Sequence, residues 1–382
     1  DYQSFIEYNI TDVELVDKLE DKMKLIELCL TMAYDAKVNY MDVLGQVKYW
    51  DVLIFNYLRD RNIVIPQKRK SDKSEKFEGA YVKEPQVGMH KWVMSFDLNS
   101  LYPHLIMQYN ISPETVNKDL RQVKNMTVEK LLTQDTDMSG MHQRGLTMTP
   151  NGALFKTGKK GFLSEMMETM YNDRVKYKKL MLQSKQQYEN TKEPKLLKDI
   201  SKYNNIQMAK KISLNSAYGA IGNEYFRYYK LANAEAITLS GQVSIQWIEA
   251  KMNEYLNKVL KSDGVDYVIA IDTDSIYLNM GPFVDAVFKG REASTEEIVN
   301  FLDKVSHMEL EKYIESSYEE LADYLNAYEN KMVMKRENIA ERGIWTGKKR
   351  YILRVWDSEG VRYEKPKLKM MGIEAIKTST PA

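Results

Sequence analysis

Three aspartates in two short stretches have the residue type and setting for chemistry on phosphates. Asp272 and Asp274 stand one residue apart in "YVIAIDTDSIYLNM" (267–280), between apolar runs that read as buried strands. Asp97 ends the apolar run of "SFDLNSLYP" (95–103). Burying a carboxylate without a partner is costly, so such residues at strand ends need a cation. Magnesium suits them, because it takes oxygen ligands and keeps several waters. The chemistry that needs such a site and little else is phosphoryl transfer, in which two metal ions act on the attacking and leaving oxygens. Alone, a D-x-D in a strand turn is more often a capped or ion-paired turn. In an extended strand Asp272 and Asp274 would share a face, whereas a tight turn would splay them.

Basic and aromatic residues at helical spacing add a second set. In "KKISLNSAYGAIG" (210–222), Lys211, Asn215 and Tyr218 fall at i, i+4 and i+7 on one helix face, with Gly219 next. A cation, an amide and an aromatic on one stripe suit a triphosphate and its base better than a core. In "YNDRVKYKK" (171–179), Arg174 and Lys178 share a stripe on a second helix. Two such helices would make an anion clamp. "GKKRY" (347–351) places Lys348, Lys349, Arg350 and Tyr351 within a basic tail suited to a nucleic-acid backbone.

The elements that must position these residues follow from periodicity and breakers. Residues 11–60 read as helices with a cap-like start at Thr11-Asp12. Residues 67–76 form a polar linker, and 77–108 alternate like strands, with Pro103 opening a helix. Residues 113–160 read as irregular. Two helices, 162–187 and 196–218, flank the break "ENTKEPK", and a further helix covers 231–260. A strand–turn–strand, an acidic helix pair over 295–328 and closing strands complete the chain.

The net charge is only +1, yet from Arg342 to Lys369 nine bases face three acids, a balance of +6. A neutral total therefore hides a basic surface of the kind that follows phosphates. The one cysteine, Cys29, has no internal partner and suits a reducing, intracellular setting. No apolar run approaches a membrane span.

In this order, "SFDLNSLYP", "KKISLNSAYG", "AIDTDSIY" and "GKKRY" resemble the polymerase motifs of family B DNA polymerases, particularly those of tailed bacteriophages. "YNISPET", "NEYFRYY", "EGAYVK" with "EPQVG", and "KPKLKMMGIEAIKTSTP" extend the resemblance over nearly the whole chain. It implies an α+β fold: an antiparallel-sheet palm with an inserted two-helix fingers projection and an N-terminal helical segment. The implied divisions are 1–66 (end of the exonuclease region), 67–160 and 222–382 (palm), and 161–221 (fingers), without a thumb. The activity implied is template-directed DNA synthesis with two Mg2+ ions, for which Mn2+ can substitute. Primer-template DNA, deoxynucleoside triphosphates and a sliding clamp are the implied partners, in the cytoplasm of a host cell.

Residue by residue, Asp97 and Asp274 resemble the metal-bridging carboxylates, Leu98 supplies a carbonyl to the second metal, and Asp272 is the neighbouring acid. Ser100, Leu101 and Tyr102 match the triphosphate segment, with Tyr102 beneath the sugar as a ribose excluder. Arg174, Lys178 and Lys211 match the fingers cations, and Asn215, Tyr218 and Gly219 the nucleotide pocket. Lys348, Lys349, Arg350 and Tyr351 match the primer grip. Tyr8 and Asp12 resemble the last exonuclease motif, whose earlier acids lie outside this sequence, so that site is expected to be incomplete. The segment to about residue 65 is expected to pack as helices against the palm, and the short Arg174–Lys211 spacing implies fingers trimmed at the tip. Two rival readings are a core that binds without turnover, and another two-metal enzyme such as a reverse transcriptase or a nucleotidyl cyclase.

Overall fold

The computed structural model describes residues 1–68, 78–117, 123 and 125–377. Most of the basic stretch 67–76 lies outside the described residues. The chain divides into two compact units, Asp1–Glu75 with Glu165–Leu231, and Lys76–Ser164 with Ala232–Ala382.

In chain order the elements begin with helices α1 (Tyr2–Met23), α2 (Leu25–Ala36) and α3 (Gln46–Arg59). Strand β1 (Gly88–Leu98) leads into α4 (Leu101–Gln108), α5 (Val128–Leu132) and α6 (Ser139–Arg144). Strands β2 (Leu146–Met148) and β3 (Leu154–Lys156) precede the long helices α7 (Phe162–Thr191), α8 (Pro194–Ile221) and α9 (Leu231–Leu260). Strands β4 (Val268–Asp272) and β5 (Ser275–Asn279) follow, then α10 (Gly281–Val287), α11 (Thr295–Val305) and α12 (Glu311–Tyr324). The chain closes on β6 (Met334–Gly347), β7 (Arg350–Ser358) and β8 (Val361–Met371).

The first unit is helical. α1 starts at Tyr2, not at Thr11: Asp1 caps it, and the Thr11 hydroxyl donates back to the carbonyl of Glu7 at 2.9 Å inside the helix. A Thr can satisfy its hydroxyl this way mid-helix, which is why it misleads as a start signal. α2 and α3 pack on α8. Tyr49 and Trp50 of α3 are both buried. The Tyr49 hydroxyl lies 2.6 Å from Ser213 Oγ, and Trp50 Nε1 donates to Ser216 Oγ at 3.0 Å. The break between α7 and α8 is sharp. Lys192 takes φ 54 and Pro194 occupies the first turn of α8, where its missing N–H costs nothing.

The second unit is built on a six-stranded sheet in the order β4-β5-β1-β6-β7-β8, with all neighbours antiparallel. With its helices it makes an α+β fold. Residues 81–86 cover the outer side of β4, where Lys83 N–H donates to the Ile271 carbonyl (3.2 Å) and Gln86 N–H to that of Ile269 (2.9 Å). The stretch expected to be irregular instead contains α5, α6 and the β2–β3 pair. "YNISPET" anchors the entry to α7. Asn110 Nδ2 donates to the carbonyls of Lys156 and Lys159, both at 2.8 Å, and its Oδ1 accepts from Gly161 N–H at 2.7 Å. Gly161 is required there, because a Cβ would come within 2.6 Å of Ser112 Cβ. α9 and α12 are tied by Trp247 Nε1 donating to Ser317 O at 2.8 Å and by the Tyr318 hydroxyl donating to Ser244 O at 3.2 Å.

Candidate active site

The two strands that carry the aspartates are direct neighbours. β1 and β5 pair with Asp97 opposite Ser275, and the N–H of Leu98 donates to the carbonyl of Asp274 at 2.8 Å. Sheet pairing therefore joins two motifs far apart in sequence at adjacent strand ends. Burial pushes the Asp97 carboxyl up to about 7, helped by the negative charges of Asp274 and Glu337. Asp274 is also raised, to about 6, mainly by burial and then by Asp272, against the lowering effect of its own backbone amide. The charge of Asp274 disfavours ionisation of Asp97, which leaves a deficit of positive charge beside the two carboxylates.

Asp272 turns elsewhere. The Asp274 N–H donates to the Asp272 carbonyl at 2.7 Å, while Thr273 between them has φ 62. This is a three-residue γ-turn of the strained sign, and a β-branched residue in that region is unusual. Thr273 is held by its N–H donating to Tyr81 O at 3.1 Å and its hydroxyl donating to Asp272 Oδ1 at 3.2 Å. The Asp272 carboxylate receives Lys349 Nζ at 2.5 Å. The turn thus splays the D-x-D pair. Among the described residues no three acidic, histidine or cysteine side chains gather closely enough to hold a metal ion. The donors that could share one are the Asp97 and Asp274 carboxylates, with the carbonyl of Leu98 beside them.

Sequence reading passed over two neighbours. Glu337 on β6 accepts from Ser95 Oγ at 3.2 Å and from Lys369 Nζ at 2.6 Å, and the charges of both Glu337 and Lys369 act on Asp97. Strand alternation is the signal that could have found Glu337, since Arg336 before it and Asn338 after it are buried and Glu337 is only partly so.

Ser100 follows β1 with φ 46 and opens α4, where Leu101 is buried and Tyr102 half-buried. Burial, then the charge of Asp274, raises the Tyr102 phenol, so its ring stands within the field of the acidic pair. α9 approaches this point through Gly241, where a Cβ would lie 3.4 Å from Leu101 Cδ2 and 3.6 Å from Tyr102 Cε1.

The basic turn between β6 and β7 is engaged with acids. Lys348 Nζ lies 3.2 Å from Glu84, Lys349 meets Asp272, and Arg350 pairs with Glu374. Tyr351, grouped with the primer-gripping residues from sequence, is 5% exposed, stacks on Trp345 at 5.5 Å, and shares a 2.8 Å hydroxyl contact with Tyr277. The alternation of β7 turns it inward, into a cluster with Val93, Leu353 and Val355.

In the helical unit, Lys211 and Asn215 are exposed on α8, and Tyr218 and Gly219 are half-buried. On α7, Lys178 is exposed and Arg174 half-buried. The adjacent Lys210 has a different fate: it is buried between Asp35 (2.9 Å) and Asp173 (3.4 Å). A Cβ on Gly219 would reach 2.4 Å from Gln46 Oε1, so the amide end of Gln46 lies over this glycine. Tyr8 and Asp12 lie exposed on α1. No helix among the described residues is long and apolar enough to cross a membrane.

The DNA polymerase family B profile matches residues 43–321. The DNA-directed DNA polymerase of Escherichia phage RB69 is 37% identical across 100% of this chain and 47% of its own length. That of Enterobacteria phage T4 is 34% identical over the same shares, and DNA polymerase 1 of Sulfolobus acidocaldarius is 29% identical over 84% of this chain and 33% of its own. The chain thus spans about half the length of the phage relatives. The profile match and the identity to the phage enzymes across the whole of this chain place it in DNA polymerase family B.

Proposed function

We propose that this chain carries out template-directed DNA synthesis, adding deoxynucleotides to a primer 3′ end by nucleotidyl transfer. The observation that carries the reading is the side-by-side placement of Asp97 and Asp274 by the β1–β5 pairing, both with raised pKa values. Their hard oxygen donors, with the Leu98 carbonyl, fit Mg2+, two ions per site, and Mn2+ in its place. Bound there, the cations would favour ionisation of the primer hydroxyl and neutralise the charge of the triphosphate.

In this reading the six-stranded sheet is the palm and α7–α8 the fingers. Ser100 and Leu101 receive the triphosphate tail, and the Tyr102 ring lies under the sugar, where a 2′-hydroxyl would clash. Arg174, Lys178 and Lys211 hold the phosphates, which stabilises charge that grows during transfer. Asn215, Tyr218 and Gly219 face the nascent base pair. Lys348, Lys349 and Arg350 draw primer phosphates to this turn when DNA binds, with Lys349 keeping its contact to Asp272, and a sliding clamp is the expected partner of a longer polymerase.

Primer extension with purified chain, template and Mg2+ tests this directly. Extension that Asp97→Asn abolishes is the expected result. A chain that binds primer-template but does not extend it would replace this reading with that of a binding core.

A further inference from the structure

Behind the turn that carries Lys348 and Lys349 lies a short segment to which the catalytic reading gives no role. β8 ends at Met371, and Gly372 follows with φ +61. A Cβ at this position would lie 2.2 Å from the carbonyl oxygen of Lys349 and 3.2 Å from its carbonyl carbon. That obstacle is backbone and cannot swing aside as a side-chain tip can, so glycine alone allows the two segments to meet this closely. Two residues on, Glu374 pairs with Arg350, and Lys377 Nζ approaches the same carboxylate at 3.5 Å.

The braced turn leads onward to the acidic residues. Lys349 has φ 58, and its ammonium reaches Asp272 at 2.5 Å. The Asp272 carbonyl in turn accepts the N–H of Asp274 across the γ-turn. Contacts therefore run unbroken from Gly372 through Lys349 and Asp272 to Asp274. A strained γ-turn keeps one direction only while its surroundings hold it, and Lys349 is the cation that holds its first residue.

We propose that Gly372 and Glu374 are positioning residues: they brace the Gly347–Arg350 turn so that Lys349 fixes Asp272 and thereby the direction of Asp274. The role of Asp274 in this inference rests on the function proposed above. The two braces differ in strength. Both partners of the Arg350–Glu374 pair are about half exposed, and such pairs contribute little alone. The glycine contact is the stronger, because any side chain must displace either the turn or the end of β8.

Hydrogen exchange and single-turnover primer extension on the whole chain test the inference. In Gly372→Ala, amide exchange in a peptide covering 268–278 should rise about threefold, and in Glu374→Ala about twofold, with peptides from α9 unchanged. Incorporation by Gly372→Ala should slow about tenfold with nucleotide affinity unchanged, a split that general loosening of the fold would not give. Added to Lys349→Met, Gly372→Ala should slow the reaction no further, because both act through one contact. Parent-like exchange in a folded Gly372→Ala, or full additivity with Lys349→Met, would overturn the brace. If Gly372→Ala does not fold, Glu374→Ala decides alone, and parent-like exchange there overturns the inference. A parent chain that fails to extend primers would remove the catalytic reading, while the exchange result would still decide whether the brace exists.

Discussion

The N–H of Leu98 donates to the carbonyl of Asp274 at 2.8 Å, and this bond sets the spacing of the acidic pair. It links the last residue of β1 to the turn before β5, so the carboxylate just upstream on β1, Asp97, cannot drift from its partner without breaking the edge of the ladder. Both acids are raised as a consequence of this setting, chiefly by burial, with the charge of Asp274 adding to the rise at Asp97.

That consequence gives a pH prediction. Asp97 in the folded chain titrates near 7, above its ordinary 3.8, so between these values the folded chain keeps a proton that the unfolded chain has released. Stability contributed by this group is complete at low pH and falls as pH rises toward 7. After solvent screening the loss by pH 8 is about 2 kcal/mol. Without divalent cations, the melting temperature should be lower at pH 8 than at pH 5, and Asp97→Asn should remove most of that difference. Millimolar Mg2+ should raise it at pH 8 and barely at pH 5, because a cation binds the ionised pair. A thermal melt series with and without Mg2+ checks both; an equal Mg2+ effect at the two pH values would contradict the assignment.

Thr273 offers a test of stored strain. Its φ of 62 suits glycine far better than a β-branched residue. Thr273→Gly relieves this but loses the hydroxyl's bond to Asp272 and adds freedom to the unfolded chain. The net change should lie within about 1 kcal/mol of zero. The turn that aims Asp274 would become loose, and incorporation should fall about tenfold or more. Undiminished turnover would show that the turn serves the fold alone.

Arg336 and Asp357 form the most buried ion pair of the sheet, with side chains 1% and 2% exposed and 2.5 Å apart. Asp303 and Arg362 complete the network, at 2.8 Å from Arg336 and 3.1 Å from Asp357. Arg336→Met would leave Asp357 with Arg362 and the Gly360 N–H but without its closest cation. The expected cost is about 3 kcal/mol, read as a lower denaturant midpoint. A loss below about 1 kcal/mol would mean that Arg362 suffices to neutralise Asp357.

What the sequence revealed and what it concealed divide along physical lines. The apolar runs around Asp272–Asp274 and before Asp97 announce strands, and the 3.6 period places Lys211 and Asn215 on one exposed stripe, because both signals are local. The partners of Lys349 and Lys210 are invisible to periodicity, since Asp272, Asp35 and Asp173 reach them only through tertiary packing. The burial of Tyr351 is hidden for another reason. Its basic neighbours suggest a wet surface, but the pleat turns each second side chain inward whatever stands beside it. Thr11 misleads because a hydroxyl that caps a helix start can also bond within a helix.

The adjacent lysines of α8 provide the sharpest separation of catalysis from stability. Lys210 is buried between Asp35 and Asp173, whereas Lys211, rotated by one residue, is exposed on the stripe with Asn215. Lys210→Ala would leave two carboxylates facing each other without their shared cation, and should cost about 2 kcal/mol or more of stability in the helical unit. Lys211→Ala breaks no ion pair among the described residues and should leave the melt unchanged. In the proposed reaction, however, Lys211 meets the triphosphate as negative charge develops on it. Its loss should slow single-turnover incorporation by about a hundredfold, roughly 3 kcal/mol of barrier. Duplex binding, which depends on Lys348, Lys349 and Arg350, should be nearly unaffected. Melting curves, a duplex-binding titration and rapid-quench incorporation on the two variants separate these outcomes. Lys211→Ala incorporating within about threefold of the parent would remove it from the phosphate site and leave it a solvated helix lysine.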